Sequence, residues 1–550
     1  MFSLPPHVSS REQKCVKCKE GLPVVVIRAG DAFCRDCFKA FYVHKFRAVL
    51  GKNRLIFPGE KVLLAWSGGP SSSSMLWQVL EVRLHAILLR PGCARPSSRG
   101  LSRDSAKRLR FVPGVVYADE GAACGQSPED RAKTVAEAKL VLQSVGFPWH
   151  IVALEEVFSL PPSVLRCSAR EPVGTEGAYK AAVGSLLQQQ HALGEEQQSL
   201  PCPPRLPIQA GPPTAGQTEA LSTLFSSVET LTAKEELLRT LRTHLILHVA
   251  RTHGYSKVMM GDSCTRLAIK LMTSLALGRG AFLAWDTVRL QAAQGPVPTL
   301  LAPFSTQCLL SRGFSDERHG DVVVVRPMRE HTLKEVAFYN RLFAVPSVFT
   351  PAVDTKAPEK ASIHRLMEAF ILRLQAQFPS TVSTVYRTSE KLVKAPRDGC
   401  AAGTPGPRCL LCMCVLDVDT ADSATAFGAQ TSSQLPQTQP PIAQAEAPTV
   451  SCCCTRMGGA RHCCRTEEDP RARVIEQLCY GCRVNMKDLV SGSPSPGPGT
   501  VSSLLQPSLD PLPPYILAEA QLRSQRAEAE QIQEYLLEDR EDEDARPGEN

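Results

Sequence analysis

Eight cysteines, spaced in pairs, are the residues of this chain best suited to chemistry. Cys15-x2-Cys18 and Cys34-x2-Cys37 lie fifteen residues apart, a loop long enough to return and bring four sulfurs together. Thiolate is a soft donor, and Zn(II) accepts four of them at about 2.3 Å in closed structural sites. Four protein ligands leave no position for substrate, so the expected chemistry is cross-linking of the chain. Metal binding of this kind supplies roughly 10–16 kcal/mol in small zinc modules, enough to hold so short a segment folded. Cys409-x2-Cys412 and Cys479-x2-Cys482 repeat the pattern across 66 intervening residues. Two structural zinc sites are therefore expected. Cys400, Cys414, the run at 452–454 and the pair at 463–464 are competing thiols, more simply read as incidental.

A second group is Ser67-Gly68-Gly69-Pro70 with Ser72, which follows the apolar run Lys61–Trp66. A glycine turn between a strand and a helix can aim backbone N–H groups at an anion. The same turn also serves as a tight connection with no ligand. A third group is basic: Lys14, Lys17, Lys19, Arg35, Lys39, Lys45, Arg47, Lys52 and Arg54 crowd the first cysteine set. From Arg11 to Lys61 there are twelve Lys or Arg against five Asp or Glu. Such a head suits a polyanion, although a solvated face of a small metal domain has the same composition.

The elements that must position these groups alternate. Lys61–Trp66, Phe111–Tyr117, Trp149–Leu154, Lys257–Met260 and Asp321–Val325 read as strands, short apolar runs bounded by Gly and Pro. Helices are expected from near Ser72, over Pro128–Val145, as one long helix over Glu219–Thr252, and over Thr265–Leu277, Thr332–Asn340 and Ser362–Phe378. Repeated β-then-α order predicts an α/β fold with a parallel sheet. The expected organisation is an N-terminal cysteine module at 11–55, an α/β domain at 56–395 with inserts near 81–103 and 188–217, a C-terminal cysteine module at 396–490 with a disordered insert at 415–470, and a linker, helix and acidic tail at 491–550.

Composition sets the bounds. The chain has 550 residues, 43% apolar and 21% charged, which excludes a fibrous, collagenous or wholly disordered protein. No apolar run approaches the roughly 18 residues of a membrane span. The first residues lack the basic and apolar regions of a secretory signal, so a cytoplasmic address with reduced thiols is expected.

Taken together, Lys14-Cys-Val-Lys-Cys-Lys19, Phe33-Cys-Arg-Asp-Cys-Phe38, Leu64-Ala-Trp-Ser-Gly-Gly-Pro-Ser-Ser-Ser73, Thr381-Val-Ser-Thr-Val-Tyr-Arg387 and Cys479-Tyr-Gly-Cys-Arg483 resemble the PP-loop ATP-pyrophosphatases that thiolate tRNA. More closely, they resemble the second subunit of the eukaryotic cytoplasmic tRNA 2-thiolation complex. The resemblance covers most of residues 11–490 outside the inserts. It implies a PP-loop sheet domain and a complex that adenylates C2 of the wobble uridine (U34) of the tRNAs for Lys, Glu and Gln. Sulfur then arrives from a thiocarboxylated ubiquitin-like carrier. The implied partners are a catalytic PP-loop subunit, tRNA and that carrier, with no membrane.

The departures from the family's active pattern are informative. SGGxDS reads Ser67-Gly68-Gly69-Pro70-Ser71-Ser72 here, without the aspartate. The later GHxxDD reads Gly261-Asp262-Ser263-Cys264-Thr265-Arg266, without the paired acids. Carboxylates are the hard ligands that Mg2+ requires. The region after Asp119 offers only Cys124 in place of a CxxC pair, Cys264 is the one other candidate of interest, and no cysteine follows Arg326-Pro327 before Pro351. The expectation is a degenerate subunit, with ATP and Mg2+ bound by its partner and no catalytic residues of its own. The alternative is an autonomous adenylating thiolase using Ser67, Gly68, Gly69, Ser72 and either Cys124 or Cys264.

Overall fold

The computed structural model describes residues 14–27, 31–53, 55–88, 111–166, 213–280, 283, 315–316, 318–389, 408–414, 416, 470–487 and 511–544. Arg54, Cys400, the cysteines at 452–454 and 463–464, and most of the expected inserts and linker lie outside these residues.

A small hairpin, β1 (Val25–Val26) and β2 (Ala32–Phe33), opens the chain. It leads into α1 (Arg35–Asn53). The main sheet then follows: β3 (Lys61–Ala65), β4 (Val112–Asp119), β5 (Trp149–Ala153), β6 (Lys257–Met260), the short β7 (Ser315–Asp316) and β8 (Val323–Val325). Their order is β5-β4-β3-β6-β8-β7, parallel except for β7 at the edge. Pro113 falls inside β4 without breaking it. Val112 N–H bonds to Glu60 on the β3 side, and the β5 ladder starts only at Val115, so the donor missing at Pro113 would have had no partner.

The period-2 alternation of the strands divides the core. Val62, Leu64, Val115, Tyr117, Met259, Val323 and Val325 face one layer, with Phe38, Tyr42 and Phe46 of α1. Leu63, Val116, Val258 and Val324 face the other, with Leu410, Leu411, Cys479 and Cys482. The two cysteine modules therefore sit on opposite faces of one sheet.

The remaining helices are α2 (Pro70–Leu88), α3 (Pro128–Val145), α4 (Ala215–Ser226), α5 (Leu231–Thr252), α6 (Cys264–Ala276), α7 (Leu333–Leu342), α8 (Ile363–Gln377), α9 (Thr381–Ser389), α10 (Pro470–Glu476), α11 (Tyr480–Asn485) and α12 (Pro514–Asp544). Two expectations need correction. The insert expected near 81–103 does not begin at 81, because the helix after the glycine turn runs on to Leu88. The single helix expected over Glu219–Thr252 is two, because the Thr230 hydroxyl accepts the Ala233 N–H and starts a new helix, with Val228 buried at the break.

Candidate metal centres and the glycine turn

Both cysteine sets are built alike. In each, the first pair lies on a tight turn closed by a residue in the left-handed region, Lys19 (φ 62°) after Cys18 and Met413 (φ 59°) after Cys412. In each, the second pair opens a helix. Cys34 immediately precedes α1, and Cys479 caps α11. A helix N-terminus favours the thiolate form. Within each set every Sγ lies within 4.8 Å of the others. A tetrahedron with metal–sulfur bonds of about 2.3 Å has edges of about 3.8 Å. The separations Cys18–Cys34, 3.9 Å, and Cys412–Cys479, 3.6 Å, match that edge. Both sets thus fit one tetrahedral ion. A cubane iron–sulfur cluster would place its own core between the sulfurs and spread them further.

The surroundings of the two sets differ. The N-terminal set relies on backbone donors. Gly21 N–H points at Cys18 Sγ (3.4 Å), and a Cβ on Gly21 would lie 2.9 Å from Cys34 Cβ. Burial alone would raise the Cys15 thiol, but N–H groups of Cys18, Cys34 and Lys17 outweigh it and bring it down to about 6. The C-terminal set is buried in the core and has arginines beside it. Arg279 Nη2 lies 3.6 Å from Cys482 Sγ, and Arg318 Nη1 lies 3.3 Å from Cys414 Sγ. Cys414, a competing thiol by sequence, is buried next to this centre but outside its four-sulfur set. His244 of α5 joins Tyr515 Oη (2.6 Å) to the Leu411 carbonyl (2.9 Å), tying α12 and the Cys409 turn to the sheet domain.

The glycine turn lies where the chain order reverses, between β3 and β6, at the carboxyl ends of the strands. Open α/β sheets bind ligands at this position. Gly68 has φ +77°, and its carbonyl accepts from Val348 N–H (3.0 Å) and the Ser73 hydroxyl (3.1 Å). The Ser72 hydroxyl accepts Ser67 N–H (3.2 Å) and donates to the Gly69 carbonyl (3.0 Å). Part of the turn's hydrogen-bonding capacity is therefore spent internally, and Pro70 opens α2 without an N–H.

Across from it, Asp262 follows β6. Both its oxygens lie 2.7 Å from Lys270 Nζ, and one lies 3.5 Å from Arg326 Nε. Burial would raise the Asp262 carboxyl, but Lys270 and Arg326 outweigh it and hold it low. Burial brings Lys270 down to about 8. Arg326 continues to Asp316 (3.2 Å), which also holds Arg318. At the positions of the missing acids, Thr265 Oγ1 accepts Leu333 N–H (3.3 Å) and Arg266 pairs with Glu368 (2.9 Å). The carboxylate at this mouth is thus already neutralised by protein cations.

The two sheet-region thiols are suppressed. Burial pushes Cys124 and Cys264 each up to about 12, and Glu120 and Glu330 respectively add to the rise. Of the basic residues, Lys14, Lys17, Lys19 and Lys52 face solvent. Arg35 bonds to the Leu342 carbonyl (3.1 Å) and lies over the Phe343 ring. Lys39 pairs with Glu81, and Lys45 donates to both oxygens of Glu335 (2.9 and 3.1 Å). Arg47 is half-buried. Sequence reasoning missed Arg279, Arg318 and His244. The only written trace of the first is Gly481, a glycine inside a cysteine pair.

Residues 362–484 match the family described as "Cytoplasmic tRNA 2-thiolation protein 2". A protein of that name from Bos taurus is 74% identical over 543 residues, 98% of this chain and 95% of its own length. The Homo sapiens protein of that name is 69% identical over 555 residues, 98% of this chain and 96% of its own. This chain belongs to that family. A Danio rerio member is still 45% identical over 97% of the chain. The cytoplasmic address expected from the sequence is the one the family name carries, and no helix among the described residues is long and apolar enough to cross a membrane. Among solved structures, the U34-tRNA thiolase NcsA from Methanococcus maripaludis with its [4Fe-4S] cluster is similar at 13% identity and TM-score 0.39, over 70% of this chain and 89% of that one. That likeness is too loose to carry an argument about this site.

Proposed function

We propose that this chain is the supporting subunit of a cytoplasmic tRNA 2-thiolation complex. It works beside a catalytic PP-loop subunit that binds ATP and Mg2+. The reaction served is transfer of sulfur from a thiocarboxylated ubiquitin-like carrier to C2 of U34 in the tRNAs for Lys, Glu and Gln. The family name supports the thiolation role. The observation that carries the supporting role is Asp262. It stands at the histidine position of that motif and is already held by Lys270 and Arg326, while Thr265 and Arg266 stand where the paired acids would hold a divalent cation. The high-lying thiols of Cys124 and Cys264 support the same reading, since the thiolate is the nucleophile.

In this reading both four-cysteine centres hold structural zinc, through Cys15, Cys18, Cys34 and Cys37 and through Cys409, Cys412, Cys479 and Cys482. Zinc supplies a cross-link and no open coordination position. The segments 11–55 and 396–490 are the two metal modules attached to the sheet domain at 56–395. Ser67, Gly68, Gly69 and Ser72 keep a phosphate-turn shape without its cation. Lys14, Lys17, Lys19 and Lys52, with Arg54, bind tRNA phosphates, while Arg35, Lys39, Lys45 and Arg47 chiefly shape the module that presents them. Replacing any one of the phosphate-binding side chains by alanine should lower the salt slope of tRNA binding by about 1.

The test is reconstitution: purify the chain alone and with its candidate catalytic partner, then measure ATP-dependent sulfur incorporation into tRNA. The expected outcome is no turnover alone and turnover in the pair. Turnover by the solitary chain would establish the autonomous thiolase instead.

A further inference from the structure

The C-terminal centre carries an uncompensated problem. Four thiolates around one divalent cation leave a net charge of −2, and this set is buried against the sheet. A buried charge needs a partner. The N-terminal set faces solvent at Cys18 and has lysines around it, so water can screen it.

Arg279 meets the need at the other centre. It sits in the turn after α6 with 9% of its surface exposed. Its chain crosses directly over Gly481, inside the second cysteine pair. A Cβ added to Gly481 would lie 2.7 Å from Arg279 Cγ and 3.1 Å from its Nε. Its Nη2 reaches Cys482 Sγ at 3.6 Å. Behind it, Nη1 pairs with Glu236 of α5, which is 2% exposed and also lies 2.8 Å from His364 of α8. The guanidinium is therefore anchored by a buried carboxylate from the sheet domain and aimed at a sulfur of the metal module. The glycine of Cys-Tyr-Gly-Cys is explained by the same fact, because any side chain there would displace the arginine.

We propose that Arg279 is the outer-sphere counter-ion of the C-terminal metal centre, carried over Gly481 onto Cys482, so that metal retention in this module depends on a residue of the sheet domain. The inference rests on the reading of the four cysteines as a metal centre. Hydrogen bonds to coordinated thiolate lower its tendency to take a proton and leave the metal, and outer-shell partners typically contribute 10–100-fold to metal affinity. Arg279 is a positioning residue in this sense and touches no reacting group.

The experiment uses the full chain as purified. Metal content is measured by mass spectrometry, and release is followed with a chromophoric chelator. Two ions per chain and biphasic release are expected, the slow phase belonging to the C-terminal centre. This phase is assigned by protection of Cys482 from alkylation in the metal-loaded protein. In Arg279→Gln the slow phase should quicken roughly 10–100-fold with the fast phase unchanged, and Arg279→Lys should restore part of the difference. Because Arg279→Gln alone leaves the buried Glu236 with only His364 and Arg239 as partners, the double variant Glu236→Gln/Arg279→Gln removes both charges, and Gly481→Ala displaces the arginine without deleting it. Both should quicken the slow phase alone. Fewer than two ions in the wild-type chain would overturn the metal-centre reading. Two ions with an unchanged slow phase in folded double variant and Gly481→Ala would overturn the role of Arg279 and leave that reading standing.

Discussion

At the scale of single residues, glycine chemistry is decided by what a methyl group would meet. A Cβ on Gly261 would lie 2.8 Å from the Ser72 Cα, 2.9 Å from the Ser71 carbonyl oxygen and 2.9 Å from the Ser72 nitrogen. All three contacts are backbone, so no side chain can swing away. The glycine turn after β3 and the turn after β6 are held in van der Waals contact by this one absence. Gly261→Ala should therefore destabilise by about 3 kcal/mol, the upper end of an overpacked site. Gly51 is the opposite case. It lies in the last turns of α1 with nothing within 4 Å of its added Cβ. There alanine should stabilise by about 0.5–1 kcal/mol through helix propensity alone. Urea midpoints of the two variants at fixed metal content test the pair. Equal shifts would show that contact at the switch point is not tight.

At the scale of elements, what holds α12 and the Cys409 turn to α5 is His244. Its imidazole is buried, and burial brings it down to about 4 despite the Leu411 carbonyl, which acts to raise it. The unfolded imidazole takes its proton near 6.5, and the folded one resists until about 4. Stability is therefore full above pH 6.5 and drains as pH falls toward 4, at up to about 1.4 kcal/mol per pH unit for this group. His331 is brought down to about 4 mainly by burial, and His150 likewise, so the acid limb has several contributors. His244→Gln keeps a donor and an acceptor but cannot titrate. Urea melts between pH 7 and 5 should show its stability falling less steeply than wild type by about one proton; parallel curves would mean that His244 takes up its proton as readily in the fold as in the unfolded chain. Elements such as α3, α7 with its Thr332 cap, and the parallel strands were legible in the sequence, because periodicity and capping residues are local. His244, Glu236 and Arg279 were not, because a polar residue inside a helical pattern acquires its meaning only from the chain that packs on it. The break between α4 and α5 was hidden for a related reason: Ser227, Val228 and Glu229 are ordinary helix residues, and only the cap at Thr230 separates the two.

At the scale of the whole molecule, the two four-cysteine modules are attached to one sheet in different ways, and on the proposed reading of both as metal centres this sets what metal removal should do. The N-terminal module reaches the sheet through α1. Tyr42 donates to or accepts from the Ser74 hydroxyl (2.7 Å) and stacks on Tyr339 at 4.3 Å, while Lys45 pairs with Glu335. These contacts lie along the body of the helix, away from the four sulfurs. The C-terminal module has no such stand-off. Cys409, Cys479 and Cys482 are themselves members of the core that includes Leu63, Val116 and Val258, together with Tyr515 and Ile516 of α12. Stripping the N-terminal ion should unravel residues 14–33 and lower the main urea transition only by what buried Val25 and Phe33 contribute, since α1 remains docked. Stripping the C-terminal ion frees two buried turns inside the core and leaves the guanidinium of Arg279 facing thiols. The main transition itself should then fall by several kcal/mol, and α12 should lose amide protection with it. Hydrogen exchange read by mass spectrometry after timed chelation distinguishes the two events. If α12 and the sheet keep full protection after both ions are gone, the C-terminal centre is an ornament on a core that stands without it.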